Sequence, residues 1–367
     1  MHSISDIFRE YGPEYLQLFS ETMPVEHKKV IAAIINCRTE AYGSVVYHCQ
    51  SCDQLHVVHR GCGNRHCPGC QHHKSRQWLQ TQLQRQLPGH HFMLTFTVPD
   101  ILRTFLRSHQ RIGYSALFAA SSTAIKRLAA DPKFIGGDAP GFFGVLHTWG
   151  RQIQYHPHIH YVVAGGALLN SSGRWIPSAP NFFLPVRALS KLYRADFRKL
   201  MDKAGLLNEI PSEVWSIDWN VNSQAVGKAE ASIKYLAPYV FRVAISNNRI
   251  IKVEDRKVFF RYRKTGSNRV RSMVLDVLEF IRRFLQHVLP AGFMKVRYFG
   301  LLSPSFRLAL EDVRAKIELA FGFALGVVQV QPISMPIMIC PRCGHLLTYV
   351  YSLLAHRHVA LKGEPPG

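Results

Sequence analysis

The sequence predicts an α+β fold, and three observations carry that prediction. Stretches with apolar residues at helical spacing are interspersed with short apolar and aromatic runs that read as buried strands. Two of those runs, residues 142–149 and 158–164, are joined by a polar turn over 150–155, which makes them antiparallel neighbours. The composition is 47% hydrophobic, 11% aromatic and 19% charged, which suits a packed globular chain and excludes wholesale disorder or a collagen-like repeat.

Taken in order, residues 5–36 read as helical, with Ile7, Phe8, Tyr11, Tyr15, Leu16, Leu18 and Phe19 at roughly helical spacing. Residues 37–73 hold cysteine knuckles punctuated by Gly43, Gly61, Gly63 and Gly69. The basic, Gln-rich stretch 72–86 predicts a linking helix, and residues 91–98 a buried strand stopped by Pro99. Helical spacing returns over 101–130, 186–205 and 226–237. Residues 258–263 predict a strand, and residues 273–289 an amphipathic helix with Leu278, Ile281, Leu285 and Val288 on its buried side. At 367 residues the chain suits two to three domains. The expected division is 1–75 for the N-terminal helices and a zinc-binding domain, 76–325 for the main domain, and 326–367 for a C-terminal segment.

Charge narrows the partner. Lys plus Arg number 45 against 24 Asp plus Glu, a net +21, and the pI is about 9.9. An excess of that size favours a polyanion bound through phosphate contacts and counterion release. A membrane surface would instead favour one basic amphipathic helix, whereas here the basic residues run along the whole chain. No apolar stretch reaches 18 residues, and the first residues lack the layout of a signal peptide, so a soluble cytoplasmic protein without a membrane partner is expected.

The cysteines point to metal rather than to disulfides. Cys49-x2-Cys52 and Cys67-x2-Cys70, fourteen residues apart, offer four thiolates from two knuckles, enough to close a tetrahedral structural Zn²⁺ site. Cys62, His66 and His56 are alternative ligands. Cys340-Pro-Arg-Cys343 is half of a further site, which His345, His356 or His358 would complete, and Cys37 stands apart.

The densest chemical signal is His156-Pro-His158-Ile-His160. On a strand, His158 and His160 share a face while Ile159 and Tyr161 pack behind them. His147 lies eleven residues before His158, and a hairpin centred near residue 153 sets it across from the pair. Three imidazoles so arranged suit a divalent cation with positions left open for phosphate oxygens and water. Tyr235 and Tyr239 are four apart and share a face if helical, although Pro238 between them is a helix breaker and such spacing also suits plain packing. A cation site, a tyrosine-bearing helix and a basic surface together form one scheme: a tyrosine attacks a DNA phosphate and a phosphotyrosine conserves the bond energy. Arg261, Arg263, Lys264, Arg269 and Arg271, interleaved with Phe259, Phe260 and Tyr262, read as a strand that tracks phosphates and stacks bases of single-stranded DNA.

These residues resemble a known family. His158-Ile-His160 resembles the His-hydrophobic-His motif of HUH endonucleases, and Tyr235-x3-Tyr239 their two-tyrosine helix. The wider pattern resembles the rolling-circle transposases of the insertion-sequence 91 family. It includes Cys37-Arg-Thr, the stretch from Cys62-Gly-Asn-Arg-His through Gln71, Phe96-Thr-Val-Pro99, Leu146-His-Thr-Trp-Gly150, and Arg242-Val-Ala-Ile-Ser-Asn247. The resemblance implies an N-terminal zinc-binding domain and an HUH nuclease domain, here 76–325, on a central antiparallel sheet flanked by helices. It further implies Mg²⁺ or Mn²⁺ dependence, a 5′-phosphotyrosine intermediate with a free 3′-OH, and single-stranded DNA at element ends and target DNA as partners. The competing expectations are a plasmid replication initiator or relaxase of the same chemistry, and a non-catalytic zinc-containing regulator.

Overall fold

A computed structural model describes residues 3–240, 244–263, 269–322 and 337–355, with the side chains of Pro238 and Tyr239 outside the description. The described residues form two compact units. The first takes its residues from Met1–His72, Ile245–Val288 and Ile333–Gly367, and the second from His73–Ala244 and Leu289–Pro332. These are not the three consecutive segments expected, because residues 245–288 pack with the N-terminal helices.

In the first unit, α1 (Ile4–Phe19) is entered through a capping box between Ser3 and Asp6 and is followed by α2 (Val25–Ile35). The hairpin β1 (Ser44–Cys49) and β2 (Gln54–His59) comes next. In the second unit follow α3 (His72–Gln84, from His73), β3 (His91–Thr97), α4 (Arg103–Ser108), α5 (Gln110–Ala130), β4 (Ala139–Trp149), β5 (Tyr155–Leu169) and β6 (Arg174–Pro177). The same unit continues with α6 (Val186–Lys203), β7 (Val221–Gly227) and α7 (Glu230–Val240). The chain then supplies the first unit with β8 (Ile250–Glu254), β9 (Lys257–Arg263), β10 (Val270–Asp276) and α8 (Val277–Leu285). Next come β11 (Val296–Gly300) and α9 (Leu310–Phe321) of the second unit, and β12 (Thr348–Leu353) of the first.

The expected α+β class holds. Among the described residues of the second unit, one antiparallel sheet runs β11-β4-β5-β3-β7, with β6 paired to the far end of β5. One face carries Phe92, Phe96, Phe142, Leu146, Ile159 and Tyr161 under α5 and α6, which supply Leu117, Phe118, Tyr193 and Phe197. The other face carries Phe143, Val145 and Val162 under Ile233, Leu236 and Val240 of α7 and Leu83 of α3. Strand β7 has no signal in the sequence because it is a polar edge strand, held by its ladder to β3 rather than by an apolar pattern.

In the first unit, β9 is the middle strand of β10-β9-β8, and β1 of β12-β1-β2. The helix expected over 273–289 is shorter. Residues 270–276 are extended and pair with β9 from Val270↔Arg263 to Asp276↔Lys257, after which the Asp276 carboxylate caps α8 by accepting from Leu278 N at 2.8 Å. The apolar side of α8 meets α1, with the rings of Phe8 and Phe284 edge to face at 5.1 Å.

Gly144 is one of several positions on the central strands of the second unit where a side chain would clash. Gly144 lies opposite Tyr161, and a Cβ there would stand 2.4 Å from the buried Tyr161 ring, whose hydroxyl is held by Ser121 at 2.6 Å. Gly144→Ala is expected to destabilise the protein by about 1–3 kcal/mol through overpacking. A thermal melt followed by circular dichroism measures this, and an unchanged midpoint would contradict the packing described.

Candidate active site and cysteine clusters

The hairpin of β4 and β5 builds the first site. Strand register sets His147 directly opposite His158, with Val145 opposite His160. Along the face shared with α7, the row Phe143-Val145 ends in His147, and the row through Val162 ends in His160 and His158. The three histidines hold their nearest ring nitrogens within 4.8 Å of one another. Ile159 and Tyr161, pointing the other way, are fully buried in the core under α5 and α6.

Outer contacts aim the rings. His158 Nδ1 donates to the His156 carbonyl at 2.7 Å, and His160 Nδ1 hydrogen-bonds Thr95 Oγ1 at 2.9 Å. Both contacts engage Nδ1 and so leave Nε2 as the nitrogen available to a ligand, the kind of outer hydrogen bond that fixes metal-binding imidazoles. His147 stacks on Trp149, ring centroids 5.0 Å apart. Burial, reinforced by the neighbouring imidazoles, pushes His147 and His158 well below the usual histidine range. Burial, followed by His156, brings His160 down to about 4. The rings are therefore neutral near pH 7, as ligands must be. His156 lies beside His158, ring centroids 5.1 Å apart, but is engaged by the Arg103 guanidinium and is not one of the three clustered ligands. The donor set, three neutral nitrogens with no fourth His, Cys, Asp or Glu grouped with them among the described residues, fits a divalent cation with open coordination positions.

Helix α7 brings a tyrosine to this face. Ile233, Leu236 and Ala237 are buried and seat the helix, which runs on through Pro238 to Val240. Tyr235 is half exposed, and its ring stands edge-on to His160 with centroids 6.4 Å apart. Tyr239 follows one turn later in the same helix, and its side chain lies outside the described residues.

The expected four-cysteine site is corrected. Cys49 and Cys52 lie with Cys340 and Cys343, while Cys67 and Cys70 lie with Cys37 and Cys62. The reason is the hairpin between the two knuckles. Cys49 ends β1 at its tip, whereas Cys37 and Cys62 flank its base, where Arg38 N donates to Arg60 O and Arg60 N to Gly43 O. Six-residue strands separate tip from base by roughly 17–20 Å. At the base, the sulfurs of Cys37 and Cys70 are 3.5 Å apart and those of Cys62 and Cys70 3.8 Å. His66 and His345 belong to neither group, and His356 and His358 lie outside the described residues. Sequence spacing alone favoured the nearer knuckles; the signal for the true grouping was that Cys37 and Cys62 bracket the hairpin.

The basic segment is divided by the pleat. Arg261 and Arg263 are exposed on β9 and share its solvent face with Phe259, over which Lys252 Nζ sits at 4.9 Å. Arg271 pairs with Tyr262 and therefore points to the opposite face of the ribbon. Arg269 is exposed just before β10, and Lys264 lies outside the described residues.

One chain thus carries a sheet bearing three histidines beneath a tyrosine helix together with two clusters of cysteines, and the comparisons say what kind of protein it is. Residues 7–98 match the family described as "Transposase zinc-binding domain", and residues 141–308 that described as "Putative transposase". The chain is 36% identical over 324 residues to "Putative transposase y4qJ" of Sinorhizobium fredii, covering 83% of this chain and 81% of that protein. It is 27% identical to the "Transposase for insertion sequence element IS801" of Pseudomonas savastanoi, covering 75% and 70%. No solved structure matches the chain. The protein is a transposase, an enzyme that cleaves DNA and transfers strands. It belongs to the insertion-sequence 91 family and carries that family's zinc-binding domain. No described helix is long and apolar enough to cross a membrane.

Proposed function

We propose that this transposase nicks and rejoins single-stranded DNA at the ends of its element through a 5′-phosphotyrosine intermediate, driving rolling-circle transposition. The observation that carries the reading is Tyr235 on α7, standing edge-on to His160 of the three-histidine face. The Tyr235 Oη attacks the scissile phosphorus, the bond to the 3′ oxygen breaks, and that oxygen leaves as a 3′-OH. The phosphorus stays joined to the 5′ oxygen of the next nucleotide and to the tyrosine, while the phenolic proton passes to solvent. A phenol with a reference pKa of about 10 is a weak nucleophile at neutral pH, so the site must supply the missing drive. His147, His158 and His160 would hold Mg²⁺ or Mn²⁺, whose charge, when bound, stabilises the phosphoryl oxygens in the transition state. Buried neutral rings aimed by Thr95 and the His156 carbonyl keep the ligand nitrogens in place. Tyr239 then serves the second strand transfer, receiving or releasing the other end.

The cluster of Cys37, Cys62, Cys67 and Cys70 falls within the zinc-binding segment and offers four sulfurs with no open position, so its Zn²⁺ is structural. The solvent face of β9 follows the DNA strand, with Arg261 and Arg263 on phosphates and Phe259 against a base.

Tyr235→Phe removes only the attacking oxygen. It is expected to abolish the covalent adduct with a labelled single strand in Mg²⁺, as seen by denaturing electrophoresis, while leaving DNA binding within about twofold. An adduct that survives in Tyr235→Phe and disappears in Tyr239→Phe reverses the order of the two tyrosines. One that survives in the double variant overturns the tyrosine mechanism.

Charge reversal of Arg261 and Arg263 together is expected to weaken single-strand binding. It should also flatten the plot of log affinity against log salt by roughly 0.7 for each phosphate no longer neutralised. Fluorescence anisotropy over a salt series measures it, and an unaltered slope would remove β9 from the DNA path.

A further inference from the structure

We propose that Cys49, Cys52, Cys340 and Cys343 form a second structural zinc site that fastens the C-terminal knuckle to the N-terminal hairpin of the same unit. Half of its ligands, Cys340 and Cys343, lie beyond both family-matched segments, which end at residues 98 and 308.

The sulfurs already stand at the separations a tetrahedral ion imposes. Cys49 and Cys343 are 3.4 Å apart and Cys52 and Cys340 3.7 Å, with all four within 4.8 Å of one another. A tetrahedron with Zn–S bonds of about 2.3 Å sets its sulfurs about 3.8 Å apart, whereas a disulfide needs about 2.05 Å. Cys49 and Cys340 are buried, which an unpaired thiolate would resist and a metal-bound one tolerates.

The backbone is folded into two knuckles around the four sulfurs. Cys340 N donates to His345 O at 2.7 Å, and Gly344 N returns to Cys340 O at 2.9 Å, with Gly344 at φ +76° closing the turn. From there β12 runs antiparallel to β1, from His48↔Thr348 to Ser44↔Leu353. Each knuckle thus stands at the end of a strand of one ladder, a zinc-ribbon arrangement whose halves are separated by nearly the whole chain. His56 Nε2 lies 3.3 Å from Cys340 Sγ and supplies the outer hydrogen bond that such sites use.

The ribbon gives the metal work to do. Strand β12 is exposed along nearly its whole length, and β2 likewise, so this sheet has little apolar core. A backbone ladder alone holds such a strand weakly. A four-coordinate ion joining residues about 290 positions apart closes a loop of most of the chain and converts metal affinity into folding stability.

The test is the zinc content of the full chain, measured by inductively coupled plasma mass spectrometry. Two zinc ions per chain are expected in the wild type and one in Cys340→Ser/Cys343→Ser, with the other lost in Cys62→Ser/Cys67→Ser. Cadmium-113 NMR of the cadmium-loaded wild type, which depends on no variant folding, is expected to give two resonances of four-sulfur character. One zinc per wild-type chain, one such resonance, or a Cys49–Cys343 or Cys52–Cys340 disulfide in peptide maps would overturn the proposal. Strand cleavage is not a readout here, so the outcome is independent of the tyrosine mechanism.

Discussion

The structure of the second unit depends on the pairing register of β4 with β5. His147 and His160 are separated by thirteen residues and meet only because the turn after Trp149 returns the chain with His147 against His158. A slip of one residue would turn every side chain of a strand to the other face, carrying the imidazoles into the core and exposing Ile159 and Tyr161. Packing guards against that slip from the opposite side. Tyr161 fits over Gly144 and reaches Ser121, and the hydroxyls of Tyr114 and Tyr155 meet at 2.6 Å, so the buried face admits one alignment. The chemistry of the polar face is thus positioned by aromatic packing on the apolar one.

The candidate metal sites of the two units follow different logics. Four thiolates leave no coordination position and suit an ion whose task is to hold a fold. Three imidazoles on a rigid sheet, with neutral rings oriented by Thr95 and the His156 carbonyl, leave positions for a substrate oxygen. Donor type alone does not separate the ions, since imidazole suits zinc as well; at the proposed site it is the oxygen positions left open for phosphate and water that would admit Mg²⁺ or Mn²⁺.

Much of this was legible in the residues. Strand periodicity alone put His158 and His160 on one face and Tyr161 behind them, and the turn at 150–155 brought His147 across. What stayed hidden was long-range. Residues 273–276 follow an apolar pattern that suits a helix as well as a strand, and pairing with β9 decided it. The cysteines were grouped by proximity in sequence, whereas the rigid length of the β1–β2 hairpin separates neighbours and the C-terminal knuckle supplies the missing pair. The alternation of Arg261 and Arg263 was visible, but the place of Arg271 on the other face followed only from the strand register.

The proposed chemistry turns on a divalent cation held by the histidine face beside Tyr235. Pulsed electron paramagnetic resonance of the full chain loaded with Mn²⁺ tests this directly. Modulation from directly bound imidazole nitrogen is predicted in the wild type, and its loss in His158→Ala/His160→Ala. A Mn²⁺ signal without nitrogen modulation, or one unchanged by that double substitution, would contradict a cation at this site.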